Sequence, residues 1–325
     1  MSLFSIFGKK KTLEKNPANL HVTLWPSFDH FKRFATDPRI KGIRLNSAMI
    51  TAAEIDDSFL TNIRPVKDKL WFDIKAMQMR VKEIVCGEDK DHLEFILNRP
   101  VSCKTPCEVY FKGGEDVAKL KEIRNGNHFI FYGGPKYIVN VGESIHIKDP
   151  DLKVGGEVML PHELDKIDKI KRMGINNWYL SYVYDQKHVD AFREIIGHDD
   201  KLILKIENLD GLKYVKSKFK QTSNTNLMVA RGDLFVELDL PHQILNASKL
   251  ILSKDPDAFV GSRMMLSVIH SPIPSSSDIC EVAWLYDVGF KNFLLCDELC
   301  LKEELLGRAV NVFGAFKKDY IEGKI

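Results

Sequence analysis

Leu202-Ile203-Leu204-Lys205-Ile206-Glu207 is the stretch on which the fold turns: six residues, apolar in the first half, charged at the end, and followed at once by Asn208. A short apolar, β-branched run of this kind reads as a buried strand, and charge confined to its last residues reads as a strand end opening into a polar site. The same pattern recurs on either side. Upstream lie His21-Val22-Thr23-Leu24-Trp25, Gly42-Ile43-Arg44-Leu45-Asn46, Leu70-Trp71-Phe72-Asp73-Ile74-Lys75 and Trp178-Tyr179-Leu180-Ser181-Tyr182-Val183; downstream lie Leu227-Met228-Val229-Ala230, Ala258-Phe259-Val260-Gly261 and Asn292-Phe293-Leu294-Leu295. Amphipathic segments separate them, with helices predicted over 161–173, 186–196, 239–253 and 302–318. Eight buried strands, each followed by a helix, predict a parallel sheet closed into a (β/α)8 TIM barrel of the α/β class.

One interval breaks the rhythm. Between Lys75 and Pro161 the sequence clusters as short strands at 93–97, 108–111, 128–132, 137–141 and 144–147, punctuated by Gly113-Gly114, Asn125-Gly126, Gly133-Gly134-Pro135 and Gly155-Gly156. This predicts a small β domain inserted after the third strand. The expected division is 1–81 for the first part of the barrel, 82–157 for the insert, and 158–325 for the rest of the barrel with its closing helix.

Composition narrows the class of function. The chain has 325 residues, 44% hydrophobic and 28% charged, which suits a folded protein with a large core. Its net charge of +2 is too balanced for a nucleic-acid binder. The basic run Lys9-Lys10-Lys11 follows the apolar start Leu3-Phe4-Ser5-Ile6-Phe7, the reverse of a secretion signal, and no apolar stretch has the length of a membrane span. A cytoplasmic protein with neither a nucleic acid nor a membrane as partner is expected; the number of subunits stays open. Six cysteines are few and read as reduced thiols, and Cys103 and Cys107, four apart, lack the second pair that a zinc site needs. The ten histidines show no metal-type spacing and read as surface or core residues. No glycine-rich dinucleotide or P-loop signature is present.

In an α/β barrel the chemistry sits at the C-terminal strand ends. Here these carry Arg44 and Asn46, Asp73 and Lys75, Lys205 and Glu207, Ala230-Arg231-Gly232-Asp233, Ser262-Arg263, and Asp297-Glu298. Alternation along a strand places Lys205 and Glu207 on one side and, carried past Ala230, Arg231 and Asp233 together. Glu207 and Asp233 are hard oxygen ligands suited to Mg²⁺ or Mn²⁺, and Lys205 is a point charge for an anionic oxygen.

Lys205-Ile206-Glu207-Asn208 followed by Met228-Val229-Ala230-Arg231-Gly232-Asp233-Leu234 resembles the pyruvate kinase family, as do Arg44-Leu45-Asn46, Asp73-Ile74-Lys75 and Pro272-Ile273-Pro274. The resemblance runs from about Leu20 to Glu298. It implies a barrel with an inserted β lid and a divalent-metal-dependent phosphotransferase acting on phosphoenolpyruvate or a pyruvate-type oxyacid, with a nucleotide as the second partner. By resemblance Glu207 and Asp233 would hold Mg²⁺ or Mn²⁺, and Lys205 would stabilise the transferring phosphoryl group and the enolate. The amides of the turn formed by Ala230, Arg231, Gly232 and Asp233 would receive the carboxylate. Arg44 and Arg80 would contact phosphate, Ser262 would serve enolate protonation, and Asn46, Asp73 and Lys75 would complete the substrate site. The departures carry expectations too. Ala48 and Ile74 replace two hydroxyls that would bind K⁺, so potassium is not expected to be required. The lid's basic return is reduced to Lys153-Val154-Gly155-Gly156, so poor ADP binding and slow or absent transfer to ADP are expected, and no C-terminal regulatory domain of the family's kind is expected. A metal-dependent lyase or aldolase acting on a pyruvate enolate, or a non-catalytic binding protein, are the alternative readings.

Overall fold

Along each barrel strand one phase of residues is apolar and faces the helices, while the other faces the barrel axis. The computed structural model describes residues 17–86 and 92–323, so the apolar start and the basic run lie outside the described residues. The strands are β1 (Asn19–Thr23), β2 (Ile40–Asn46), β3 (Leu70–Ile74), β4 (Val81–Cys86), β5 (Glu94–Leu97), β6 (Val101–Ser102), β7 (Cys107–Phe111), β8 (Asp116–Arg124), β9 (His128–Phe131), β10 (Ile145–Ile147), β11 (Lys153–Val154), β12 (Asn177–Leu180), β13 (Lys201–Ile206), β14 (Thr225–Ala230), β15 (Phe259–Gly261) and β16 (Asn292–Leu294). The barrel closes in the order β1-β16-β15-β14-β13-β12-β3-β2, and its strand pairs are parallel. Phe72, Trp178, Leu202, Leu204, Leu227 and Val260 belong to the large core under the helices, whereas Trp71, Tyr179, Ile203, Met228, Phe259 and Leu294 fill the barrel interior. That interior is tight enough to require two glycines: a Cβ on Gly261 would lie 2.1 Å from the Met228 side chain, and one on Gly42 2.2 Å from His21 Nδ1.

The insert is an antiparallel sheet in the order β10-β7-β8-β9-β5-β4 plus the β6–β11 pair. Phe95, Phe111, Phe129 and Phe131 pack at its centre, with Phe95 stacked on Phe129 at 5.7 Å. Two details differ from the sequence reading. The segment 137–141 is not a strand: Tyr137 lies under the Lys112 ammonium, 3.4 Å from the ring centre. Conversely β4 and β8 are strands that the reading passed over. β8 buries only Ala118 and Leu120 fully while Lys119, Lys121 and Glu122 point outward, too little apolar signal to stand out. In the barrel half, the helix expected over 239–253 starts at Gln243, after Pro241, and a separate short helix, Arg231–Glu237, precedes it.

Arg99, on the β5–β6 turn, holds the insert to the barrel. Its buried guanidinium donates to the carbonyls of Ala76 on the outgoing strand connection and of Glu157 and Val158 (3.1 Å) on the returning one. Further out, Arg263 donates to Gly113 O (2.7 Å) and Lys148 to Leu238 O (3.0 Å), which closes the lid over the helix Arg231–Glu237. Among the described residues no helix is long and apolar enough to cross a membrane.

Candidate active site

The polar ends of the inward-facing phase meet at one mouth. Asn208 turns the chain there: its side chain accepts from Gly211 N at 2.7 Å, capping the helix Leu209–Ser217, so β13 ends with Lys205 and Glu207 both aimed at the axis. Asp73 lies beneath them, fully buried. It accepts from Arg44 Nε at 2.7 Å, Lys75 Nζ at 2.8 Å, Lys205 Nζ at 3.3 Å and Ser181 Oγ at 3.0 Å. Lys205 also donates to Ser181 Oγ at 3.0 Å and pairs with Glu207 Oε1 at 2.9 Å, while Glu207 Oε2 accepts from Tyr182 N at 2.6 Å.

Burial sets the electrostatics, and neighbours correct it. It opposes the charge of Lys205, but Asp73 and Glu207 outweigh it and hold the ammonium above its usual range. Lys75 is not rescued: burial, with Lys205 and Arg44 nearby, brings it down to about 7 despite Asp73. Burial and then the neighbouring Asp233 charge push Glu207 up to about 7, against the pull of Lys205. Asp233 goes the other way. Burial would raise it, but His146 holds it below the carboxylate range.

Glu207 and Asp233 both line the cavity, and the Asp233 charge bears on Glu207. A divalent cation between them would offset both charges, and both donors are the hard oxygens it prefers. Among the described residues no group of three or more His, Cys, Asp or Glu side chains is arranged to hold a metal alone, so an ion here would take further ligands from substrate and water.

The sequence-predicted residues converge, with one correction. Arg44, Asn46, Lys75, Arg80, Lys205, Glu207, Gly232, Asp233 and Ser262 line a single cavity of about 350 Å³; Asp73 is buried behind that wall, bonded to Arg44, Lys75 and Lys205, and Ala230 is buried at the end of β14 without lining it. Arg231 does not join them, because the chain has already turned into the helix Arg231–Glu237 and strand alternation no longer holds. Its guanidinium pairs with Glu281 at 2.6 Å and donates to Ser262 O at 2.7 Å, leaving only its backbone near the mouth. Arg80 is already engaged by the Gln78 side chain (2.9 Å) and Gly142 O. Tyr182, Ser262, Arg263 and Met265 take positive φ (52°, 67°, 60° and 54°), strained backbone concentrated around this mouth.

Other residues of the mouth were given no role from sequence. Asp297 accepts from Arg44 (3.3 Å) and Asn46 (3.2 Å). From the lid, Lys112 reaches the cavity wall, and His146 is buried against the barrel with Nε2 3.2 Å from Asp233 Oδ1, and Nδ1 2.9 Å from Glu237 Oε1 and 3.1 Å from the Tyr182 hydroxyl. Burial disfavours the imidazolium, yet Asp233 and Glu237 raise it to about 9. This histidine is neither surface nor apolar core, and its spacing in the sequence carries no sign of the contact.

The family model described as "Pyruvate kinase, barrel domain" matches residues 139–295, from within the lid through β16. A pyruvate kinase of Thermoplasma acidophilum is 29% identical over 164 residues, 47% of this chain and 28% of that protein. Pyruvate kinase 1 of Saccharomyces cerevisiae is 29% identical over 154 residues, and pyruvate kinase 1 of Candida glabrata 30% over 156; each match takes in 44% of this chain and 30% of the relative. The matched stretch is thus under a third of these relatives' length. It contains Lys205, Glu207 and Asp233, while Arg44 and Asp73, outside it, are joined to them by the barrel itself. A closed eightfold barrel with its insert after β3 and this sequence likeness agree: the barrel of this chain is similar to that of the pyruvate kinase family.

Proposed function

We propose that the chain is a phosphotransferase acting on phosphoenolpyruvate or a pyruvate-type oxyacid together with Mg²⁺ or Mn²⁺. The observation that carries this reading is Lys205, an ammonium fixed between Asp73, Ser181 and Glu207 at the wall of a cavity that also presents Asp233. Glu207 and Asp233 would hold the ion, which when bound supplies positive charge that draws electron density from the oxyacid and phosphoryl oxygens. The residues do the rest by position. Backbone amides at residues 231–233 receive the carboxylate at the start of a helix. Lys205 faces the enolate oxygen as its charge develops, Arg44 faces the phosphoryl group, and Ser262 lies on the cavity wall for enolate protonation. Asp73 orients the three cations around it. Because Arg44, Lys75 and Lys205 already occupy the Asp73 carboxylate, K⁺ is not needed there.

Transfer to ADP is slow in this reading. Six cationic side chains and five carboxylates line the cavity, but the cations facing the lid are engaged: Lys112 over Tyr137, Arg80 by Gln78, Arg263 by Gly113. The test is calorimetry of Mn²⁺ with and without oxalate, beside a coupled phosphoenolpyruvate–ADP assay run in K⁺ and in a large organic cation. Oxalate should tighten Mn²⁺ binding, Glu207→Gln and Asp233→Asn should each weaken it greatly, and any turnover should ignore the monovalent cation. Unchanged Mn²⁺ affinity in both variants would overturn the metal assignment; ordinary turnover at micromolar ADP would overturn slow transfer.

A further inference from the structure

A second reactive cluster lies in the lid, away from the mouth. Cys103 and Cys107 bracket the turn between β6 and β7, both partly exposed, with their Sγ atoms 3.9 Å apart. The two sulfurs share this contact, with either able to donate its S–H, and it pulls the Cys107 thiol below its usual range while pushing the Cys103 thiol above it. Asp149 fixes the same turn by accepting from Lys104 N at 2.7 Å. By contrast Cys296 and Cys300 are buried at the end of β16 and beyond, where burial pushes their thiols up and keeps them inert.

We propose that Cys103 and Cys107 form a redox-active dithiol, which a low-molecular-weight disulfide oxidises to an intramolecular disulfide. The chemistry is two exchanges. The Cys107 thiolate attacks one sulfur of the reagent, breaks its S–S bond and displaces one thiolate, leaving a mixed disulfide on Cys107. Cys103 then loses its proton, and its sulfur attacks Cys107 Sγ, displacing the second thiolate. Two protein thiols and one reagent disulfide become one protein disulfide and two small thiols; two electrons pass from the cysteines to the reagent, and the two protons end on the released thiolates. The sulfurs need close only from 3.9 Å to the bonding distance of about 2 Å, within a turn of five residues. This site stands apart from the proposed chemistry of the barrel mouth, so either reading can fail alone.

The experiment exposes the full chain to oxidised glutathione, blocks remaining thiols with iodoacetamide, and maps peptides by mass spectrometry. Trypsin cuts after Lys104, between the two cysteines. The expected result is that the peptides containing Cys103 and Cys107 stay joined, about 2 Da lighter than the sum of their reduced forms, until a dithiol reductant parts them. In Cys103→Ser, Cys107 should instead keep glutathione. A mixed disulfide persisting on either cysteine of the unsubstituted chain, or alkylation of both as complete as without the oxidant, would overturn the proposal and leave two small side chains packed beside the lid core.

Discussion

Lys205 serves three partners from one ammonium, and its removal should separate binding from turnover. Lys205→Met should cost about 2.7–4 kcal/mol of transition-state stabilisation, roughly a hundred- to a thousandfold in kcat, with a smaller change in oxyacid affinity. Asp73 keeps Arg44 and Lys75, so the thermal unfolding temperature should stay near that of the unsubstituted chain; unaltered turnover, or a variant that does not fold, would make Lys205 purely structural. Asp297 poses the opposite question, since its carboxylate sits on Arg44 where a substrate phosphate would arrive. Asp297→Asn should strengthen binding of an anion such as oxalate with Mn²⁺ by up to about 1 kcal/mol, roughly fivefold, the worth of a partly exposed ion pair; weaker binding would mean that Asp297 works with the ligand. Lys205, Glu207 and Asp233 were legible in the sequence because strand-end motifs put them next to each other. Asp297 was visible only as a strand-end carboxylate without a partner, and His146 not at all, because their partners lie far off in sequence: 253 residues separate Arg44 from Asp297 and 87 separate His146 from Asp233.

The lid depends on one side chain at its base. Arg99 meets three carbonyls on two chain segments, and only a planar, forked donor can reach all three. Arg99→Lys should leave buried acceptors unmet and cost about 1–3 kcal/mol, felt by the lid alone. Amide exchange should quicken in β5, β7 and β9 while β13 and β14 stay protected; equal acceleration in both would show that lid and barrel open as one unit. The barrel strands were readable because each outward phase is apolar. β8 was not, since a strand that turns lysines and a glutamate to water carries its signal in two residues, and the helix Arg231–Glu237 was hidden because its first residues look like a continuing strand end.

Across the molecule, acid should find a weak point at the opposite end of the barrel from the mouth. His21 is buried against Phe259 with no partner for Nδ1, and burial lowers it to about 4 even though Asn292 acts to raise it. A histidine depressed in the folded state adds stability above its unfolded value near 6.5 and loses it as pH falls toward 4, because the unfolded chain takes up the proton first. The loss is of the order of 3 kcal/mol. The urea midpoint should therefore drop between pH 7 and pH 4.5, and drop less in His21→Gln; the same drop in both would place the acid sensitivity elsewhere.

The insertion also leaves its mark on how the barrel comes together. Phe72 of β3 and Trp178 of β12 are neighbours in the sheet, yet they lie 106 residues apart in the chain. At equilibrium so long an interval weighs little, since loop closure grows by only about 0.6 kcal/mol for each doubling of length. In time it weighs more, because pairings distant along the chain are the slowest to be found. The β3–β12 seam is then where a nascent barrel stands open longest, and Asp73 lies on that seam while Lys205 lies beyond it. The polar cluster at the mouth is complete only once the ring has zipped shut, so a ligand that needs the whole cluster can be held only by chains that have finished folding.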